Sequence, residues 1–352
     1  MLGAGWQAAL LNAIAVLIIT CPCALALAVP AVQVVAAGRL LRAGILAKSE
    51  TALERLAGID TVVFDKTGTL SEGRPVLLRD DAWSDDDLAA AVSLAVTSRH
   101  PLARALAAAA PSVAAADGVE EIPGCGLQAA GTRLGRRDWC DAGPADEADG
   151  PELWLQRAGH PAARFAFRDE PRRDAEQVVA ALNRRGLDVE LLSGDRPAVA
   201  GSMAGRLGIA RWRGGCTPVE KAIRLDELAR SGRRVLMVGD GLNDAPALGH
   251  ARVSMSPSAA AEIAQNAADL VFQGDRLWPV LEALAVAHRA NRLVLQNLGL
   301  AFAYNLVTIP MAMAGLVTPL VAAIAMSTSS VVVVGNALRL GRRTTEAPGA
   351  ST

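Results

Sequence analysis

The sequence predicts an α/β protein in which a parallel sheet is interrupted by an inserted α+β segment and held to a membrane by three apolar helices. Three observations carry this expectation. Short strand-like stretches at residues 62–64, 189–192, 235–238, 252–255 and 269–272 recur between helical stretches, and the first three end in Asp-containing turns. Residues 79–168 change character, being acidic, then Ala-rich, then Gly-rich. Two long blocks, 1–38 and 293–338, contain no Asp, Glu, Lys or Arg.

The first block would form about 45 Å of helix, enough to cross a bilayer with tilt. It lacks the basic start, short apolar core and small-residue cleavage site of a signal peptide. The second block holds two crossings with a break at residues 315–319. Basic residues flank the inner ends: Arg39, Arg42 and Lys48, then Arg289 and Arg292, then Arg339, Arg342 and Arg343. By the positive-inside rule residues 39–292 are cytoplasmic and Met1 lies outside. A net charge of -1 argues against nucleic acid as a partner. Five cysteines, two of them inside a span, do not describe a disulfide framework.

Within the first span, Thr20-Cys21-Pro22-Cys23 must kink or unwind the helix, because proline removes a backbone hydrogen bond and clashes with the preceding turn. Such a break can bring Cys21 and Cys23 toward a common pathway, and two thiols there suit a soft monovalent cation such as Cu(I). Residues 39–60 read as a basic, then mixed-charge, helical connector. Next comes the string Asp65-Lys66-Thr67-Gly68-Thr69, with Asp65 at the carboxyl end of a buried strand, where open α/β sheets bind ligands. A carboxylate so placed can act as a nucleophile toward phosphorus. A lone Asp would more simply close a turn, but the five-residue string is too specific for that.

In the insert, Ser84 and the three Asp residues after it start a helix reaching about Thr97. His100-Pro101 opens a second helix with Pro at its first position. Gly124-Cys125-Gly126 precedes strands at 127–130 and 132–135, residues 141–151 form a loop, and a strand at 162–168 places Phe165 and Phe167 on one face. His160-Pro161 reads as a hairpin turn. Beyond the insert a helix covers 174–185. Ser193-Gly194-Asp195 ends the next strand, Lys221 starts a helix after Thr217-Pro218, and Gly239-Asp240-Gly241-Leu242-Asn243-Asp244 ends the strand at 235–238.

Together these motifs resemble the carboxyl-terminal half of a heavy-metal-transporting P-type ATPase of the Cu(I) class, over essentially the whole chain. The resemblance implies a Rossmann-like, haloacid-dehalogenase-type phosphorylation domain with an inserted nucleotide-binding domain. The implied boundaries are 1–48 for the first membrane helix and connector, 49–78 and 169–285 for the phosphorylation domain, 79–168 for the insert, 286–342 for two membrane helices and 343–352 for a tail. It implies that Asp65 accepts the γ-phosphate of ATP, that Asp65, the Thr67 carbonyl and Asp240 hold Mg2+ with Asp244 in support, and that Lys221, Ser193 and Thr67 stabilise phosphoryl oxygens beside Lys66, Gly194 and Asp195. Related phosphatases carry a second Asp two residues after the nucleophile. Thr67 cannot activate water there, so a phosphoenzyme should persist.

His100, with Pro101, matches the residue that packs on adenine, and Gly124, Gly126 and Gly135 match glycines of the nucleotide site. The family's acidic residue before this His is Arg99 here. Tyr304, Asn305, Met326, Ser329 and Ser330 match polar and thioether positions of Cu(I) pumps. Zn(II) pumps use a membrane Asp and Lys, which 293–338 lacks, so Cu(I) or the similar Ag(I) is the expected cargo. The runs at 134–140, 193–196 and 254–258 resemble the FixI-type subgroup, implicated in copper supply for bacterial cytochrome oxidase assembly. That places the chain in a bacterial inner membrane, supplied by a cytosolic copper donor.

No Thr-Gly-Glu string of an actuator domain occurs. The expectation is therefore a chain that binds ATP but completes transport only with the amino-terminal half of such a pump. Two other readings remain: a membrane-tethered phosphatase of the haloacid-dehalogenase type, and a non-catalytic metal-binding remnant.

Overall fold

The computed structural model describes residues 3–341 except 22, 50, 80–82, 144–149, 241–243 and 261. Pro22, Gly241 to Asn243, Arg342, Arg343, the tail and most of the 141–151 loop therefore lie outside the described residues. The chain opens with three helical pieces, α1 (Gly3–Ile19), α2 (Cys23–Ala28) and α3 (Pro30–Arg42). The expected break at Cys-Pro-Cys is present, and a second follows at Val29 because Pro30 starts a new helix.

The connector departs from the helical expectation. After Gly44, which ends α3 with φ +74°, residues Ile45–Ala47 form β1, an edge strand antiparallel to the last strand of the sheet. Only the short α4 (Ala52–Leu56) is helical. Then come β2 (Thr61–Asp65), a turn over Lys66–Leu70, and β3 (Ser71–Leu77).

The insert contains α5 (Asp85–Ala95), α6 (Pro101–Ala109), β4 (Glu120–Ile122), β5 (Gly126–Ala129), β6 (Thr132–Gly135), β7 (Glu152–Gln156) and β8 (Ala163–Pro171). Ser84 and Asp87 make a reciprocal capping box at α5. The six strands run in the order β3-β8-β7-β6-β5-β4, all antiparallel. This sheet thus begins at Ser71, earlier than the composition change at 79, because β3 and β8 pair as a two-stranded neck from Ser71 and Pro171. Phe165 and Phe167 are buried under α5 and α6.

Then follow α7 (Ala175–Arg184), β9 (Asp188–Leu192), α8 (Pro197–Leu207), β10 (Arg211–Arg213), α9 (Pro218–Arg230), β11 (Val235–Val238), α10 (Ala245–His250), β12 (Val253–Pro257), α11 (Glu262–Ala267) and β13 (Leu270–Phe272). The seven-stranded order is β1-β13-β12-β11-β2-β9-β10, parallel apart from β1. β2 is central and fully buried, which explains its unbroken apolar run.

The last helices are α12 (Trp278–Met313) and α13 (Pro319–Leu338), broken where residues 315–319 predicted. Leu25–Arg42, α12 and α13 are long and apolar enough to cross a membrane. The first half of α12 is also part of the sheet core. Val280, Leu281, Leu284 and Ala287 are buried with Val62, Leu191 and Leu236, and with Val32, Ala36 and Leu40 of α3. Arg39 of α3 pairs with Glu282 of α12 at 2.8 Å.

Candidate active site

Because β2 lies between β9 and β11, the carboxyl ends of all three strands meet at one edge. Asp65 ends β2 and pairs in register with Leu192, the residue before Ser193, while Phe64 pairs with Val238, two residues before Asp240. Asp65, Asp240 and Asp244 offer oxygens that all lie within 4.8 Å of one another. Lys221 is delivered from the first turn of α9, whose Thr217 and Glu220 form a capping box. Its Nζ donates to Asp65 Oδ1 at 2.5 Å and to Asp244 Oδ1 at 2.7 Å.

One ammonium cannot neutralise three carboxylates. Burial, then the Asp244 charge, pushes Asp65 up to about 7, while Lys221 holds it down. Burial and Asp244 likewise push Asp240 up to about 6, against Arg172 and Lys221. Burial pulls Lys221 down, but the two carboxylates carry it above the ordinary lysine value, so it stays charged. The result is a buried site with surplus negative charge.

The turn after Asp65 is shaped around Asp240. A Cβ on Gly68, whose φ is +68°, would sit 1.4 Å from Asp240 Oδ2, so this carboxylate rests directly on the glycine. Arg172, buried at the end of the neck, holds the same turn. Its Nη2 donates to the Gly68 carbonyl and its Nε to the Thr69 carbonyl, each at 2.7 Å. Nothing in the sequence marked Arg172, since a single arginine after a strand carries no pattern. Three converging carboxylates seated on a glycine turn fit a hard divalent cation such as Mg2+.

The other residues of the phosphate motif sit beside this cluster. Lys66, next after Asp65 in extended backbone, turns to the opposite side, where Nζ pairs with Asp195 at 2.5 Å and Asp169 at 3.5 Å. Ser193 Oγ donates to Asp195 Oδ2 at 3.1 Å, so this hydroxyl faces Asp195 in place of an open phosphate position. Thr67 is exposed at the mouth, and Gly194 lies against the Cys216 carbonyl.

His100 and Gly124, Gly126 and Gly135 line one cleft of about 350 Å3 on the insert. His100 also caps α6, its Nδ1 accepting from the Leu102 amide at 3.3 Å, with Pro101 in the first turn. Gly126 and Gly135 face each other across β5 and β6. Added Cβ atoms would lie 2.3 Å from the Leu134 carbonyl oxygen and 2.2 Å from that of Cys125, so the strand contact itself excludes side chains at both positions. His160 lies in the turn between β7 and β8, its amide donating to the Arg157 carbonyl, as its surroundings predicted.

In the membrane segment, α2 meets α12 and α13 where Ala28 packs on Ala301 and Val333. About one turn further from the cytoplasmic end lie Cys23, Tyr304 with Asn305, and Ser329, with Met326 just beyond. Cys21 lies in the break after α1 and Cys23 opens α2, both half-buried. The Tyr304 hydroxyl is buried without a partner among the described residues. The hydroxyls of Ser329 and Ser330 donate to the Met326 carbonyl at 2.7 and 3.3 Å.

Residues 59–252 match the haloacid dehalogenase-like hydrolase family. The chain is 51% identical to nitrogen fixation protein FixI of Rhizobium leguminosarum bv. viciae, over 96% of this chain and 46% of that protein. It is 38% identical to a copper-exporting P-type ATPase of Mycobacterium tuberculosis, over 93% of this chain and 46% of that one. It thus spans about half the length of these curated relatives. A zinc-transporting PIB-type ATPase crystallised in the E2.Pi state superimposes with a TM-score of 0.79 at 28% identity, covering 92% of this chain and 57% of that one. The catalytic domain of the CPx-ATPase CopB-B gives 0.59 at 27% identity, covering 72% and 98%. An aspartate-centred sheet edge, an insert carrying a second cleft, three apolar helices and this likeness agree: the chain belongs to the haloacid dehalogenase-like hydrolases, in their heavy-metal P-type ATPase branch.

Proposed function

We propose that this chain carries the phosphorylation, nucleotide-binding and ion-binding parts of an ATP-driven Cu(I) transporter. The observation that carries the reading is Asp65, buried at the centre of the sheet edge against Lys221, Asp240 and Asp244, with Thr67 where a hydrolytic relative would place a second acid. Nucleotide docks in the His100 cleft. An Asp65 oxygen attacks the γ-phosphorus, the new O–P bond forms as the bond to the bridging oxygen of ADP breaks, and ADP departs. Lys221 favours the ionised form of the attacking carboxylate and stays to pair with Asp244. Asp65, Asp240, Asp244 and the Thr67 carbonyl would hold Mg2+, which supplies charge neutralisation for the transferring phosphoryl group. With no acid at Thr67 to activate water, the acyl phosphate outlasts the encounter.

For the cargo, Cys21 and Cys23 supply thiolate sulfur, with Tyr304, Asn305, Met326 and Ser329 at similar depth. A charge-free 293–338 favours a monovalent soft ion, Cu(I) or Ag(I), over Zn(II) despite the zinc-transporting structural neighbour. In this reading a cytosolic copper donor loads the site and the amino-terminal half of the pump completes the cycle. The FixI-like features favour copper supply to cytochrome oxidase assembly.

The test is acid-quenched labelling with γ-32P-ATP and Mg2+. Label should appear in the chain and vanish in Asp65→Asn. Steady hydrolysis of simple phosphate esters without label would support the tethered phosphatase instead. Equilibrium competition with a Cu(I) chelator should show binding that Cys21→Ser and Cys23→Ser each weaken at least tenfold, and no comparable Zn(II) binding.

A further inference from the structure

Where α12 leaves the sheet core and enters the apolar layer, a cavity of about 540 Å3 opens beside the end of α13. Its wall carries Arg289, Arg292 and Arg339, with His288, Gln296 and Leu293 beside them, and no carboxylate among the described residues. Residues 283–341 hold no Asp or Glu at all, and the last acid before them, Glu282, is bonded to Arg39. Arg289 and Arg292 come from α12 and Arg339 caps the end of α13, and two of the three are held by hydrogen bonds. Arg289 Nη2 donates to the Arg339 carbonyl at 3.1 Å, and Arg339 Nη1 to Asn336 Oδ1 at 2.8 Å.

The depth of the cavity is informative. Leu293 is the first residue of the charge-free stretch, so the guanidiniums stand where the cytoplasmic headgroup layer begins. Leu295 and Leu300 of α12, two and seven residues deeper than Leu293, are 61% and 46% exposed, and Leu338 of α13, next to Arg339, is 58% exposed. A basic rim above bare aliphatic side chains is complementary to an anionic amphiphile. Scattered lysines would satisfy the positive-inside rule equally well. Three arginines converging on one cavity offer instead the planar, bidentate geometry that suits phosphate oxygens.

We propose that this cavity binds the phosphate headgroup of an anionic phospholipid of the cytoplasmic leaflet, with its acyl chains along Leu295, Leu300 and Leu338. The lipid would bridge α12 and α13 just below the point where α12 joins the phosphorylation core. The site does not depend on the identity of the transported ion or on phosphorylation of Asp65.

The test uses the full 352-residue chain in nanodiscs containing equal phosphatidylcholine and either phosphatidylglycerol or cardiolipin, followed by native mass spectrometry of the released protein. The anionic lipid should be retained at least tenfold over phosphatidylcholine. Arg292→Gln with Arg339→Gln should abolish the preference, the corresponding double Lys variant should keep part of it, and Arg211→Gln, a charge change on the distant β10, should keep all of it. Millimolar pyrophosphate should not displace the lipid. Equal retention of both lipids by the unmodified chain, or an unchanged preference in the double Gln variant, overturns the proposal. Binding of pyrophosphate in place of lipid does so too, by making the cavity a site for soluble anions.

Discussion

Replacing Asp65 by Asn should stabilise the metal-free protein at pH 8, although it removes a buried ion-pair contact. Burial and the Asp244 charge lift Asp65 from 3.8 to about 7. Between those values the folded state binds a proton that the unfolded chain has released, so stability falls as pH rises through this window. The stabilising contribution is complete below the unfolded value and lost above the folded one. That displacement corresponds to about 4 kcal/mol at most. The attraction of Lys221 is already contained in that value, and Lys221 keeps Asp244 as a partner in the variant, so the gain at pH 8 is up to about 4 kcal/mol, or about 5 °C in apparent Tm for a chain of this length. The assay is thermal unfolding in detergent with EDTA, followed by tryptophan emission at pH 8 and pH 5. At pH 5 the native carboxyl is largely protonated and resembles Asn while the unfolded chain has still released its proton, so the gain should fall to less than half, about 1 to 2 kcal/mol. Added Mg2+ at pH 8 should raise the Tm of the unmodified protein and leave Asp65→Asn nearly unmoved. A variant that melts lower at pH 8, or a gain equal at both pH values, would refute the charge-surplus argument.

Gly68→Ala should cost about 1 to 3 kcal/mol from its left-handed φ and the collision with Asp240, and should also abolish Mg2+-induced stabilisation in the same melting assay. Asp174→Ala should lower Tm by the equivalent of about 1 to 2 kcal/mol, because its carboxylate accepts from the Leu277 and Trp278 amides at the start of α12. Asn297→Leu should cost about 1 to 2 kcal/mol, read as earlier unfolding in detergent, since the buried Asn297 joins the Ala28 carbonyl to Asn336 of α13.

The aspartates of the site were legible because each follows an apolar run at a strand end, and Lys221 because Thr217-Pro218 announces a helix start. Those signals are local. Arg172 acts through the carbonyls of Gly68 and Thr69, more than a hundred residues earlier, and no local pattern encodes that. Asp174 is a deceptive case. The pattern puts it inside a helix over 174–185, yet it precedes α7, makes no side-chain cap there and serves α12 instead. β1 was hidden for another reason: three residues at a sheet edge have no periodicity to read, and their pairing with β13 exists only after the fold closes. Gly126 and Gly135 were expected, by resemblance, to admit nucleotide, and the close approach visible in the structure is that of the neighbouring strand.

These long-range contacts form one continuous path. Arg172 grips the turn that follows Asp65, and two residues later Asp174 grips the first turn of α12. Asp65 shares its site with Lys221 and Asp240, and Asp240 rests on the same Gly68 whose carbonyl Arg172 holds. From there α12 runs without interruption for 36 residues, about 54 Å, packed first against the sheet and then against the membrane helices. Asn297 ties it to the Ala28 carbonyl, in the break between α2 and α3 and five residues beyond Cys23. Packed cores switch between discrete arrangements rather than deforming smoothly. A shift of the Asp65 turn would meet in α12 a stiff element bonded at its start by Asp174 and near its middle by Asn297, beside the Cys-Pro-Cys segment. If the path carries coupling, Asp174→Ala and Asn297→Leu should each leave Cu(I) binding within about threefold while weakening the effect of bound nucleotide on it, a coupling of about 1 to 3 kcal/mol in intact systems. Variants that lose stability but keep that nucleotide effect undiminished would reduce both residues to a purely structural role.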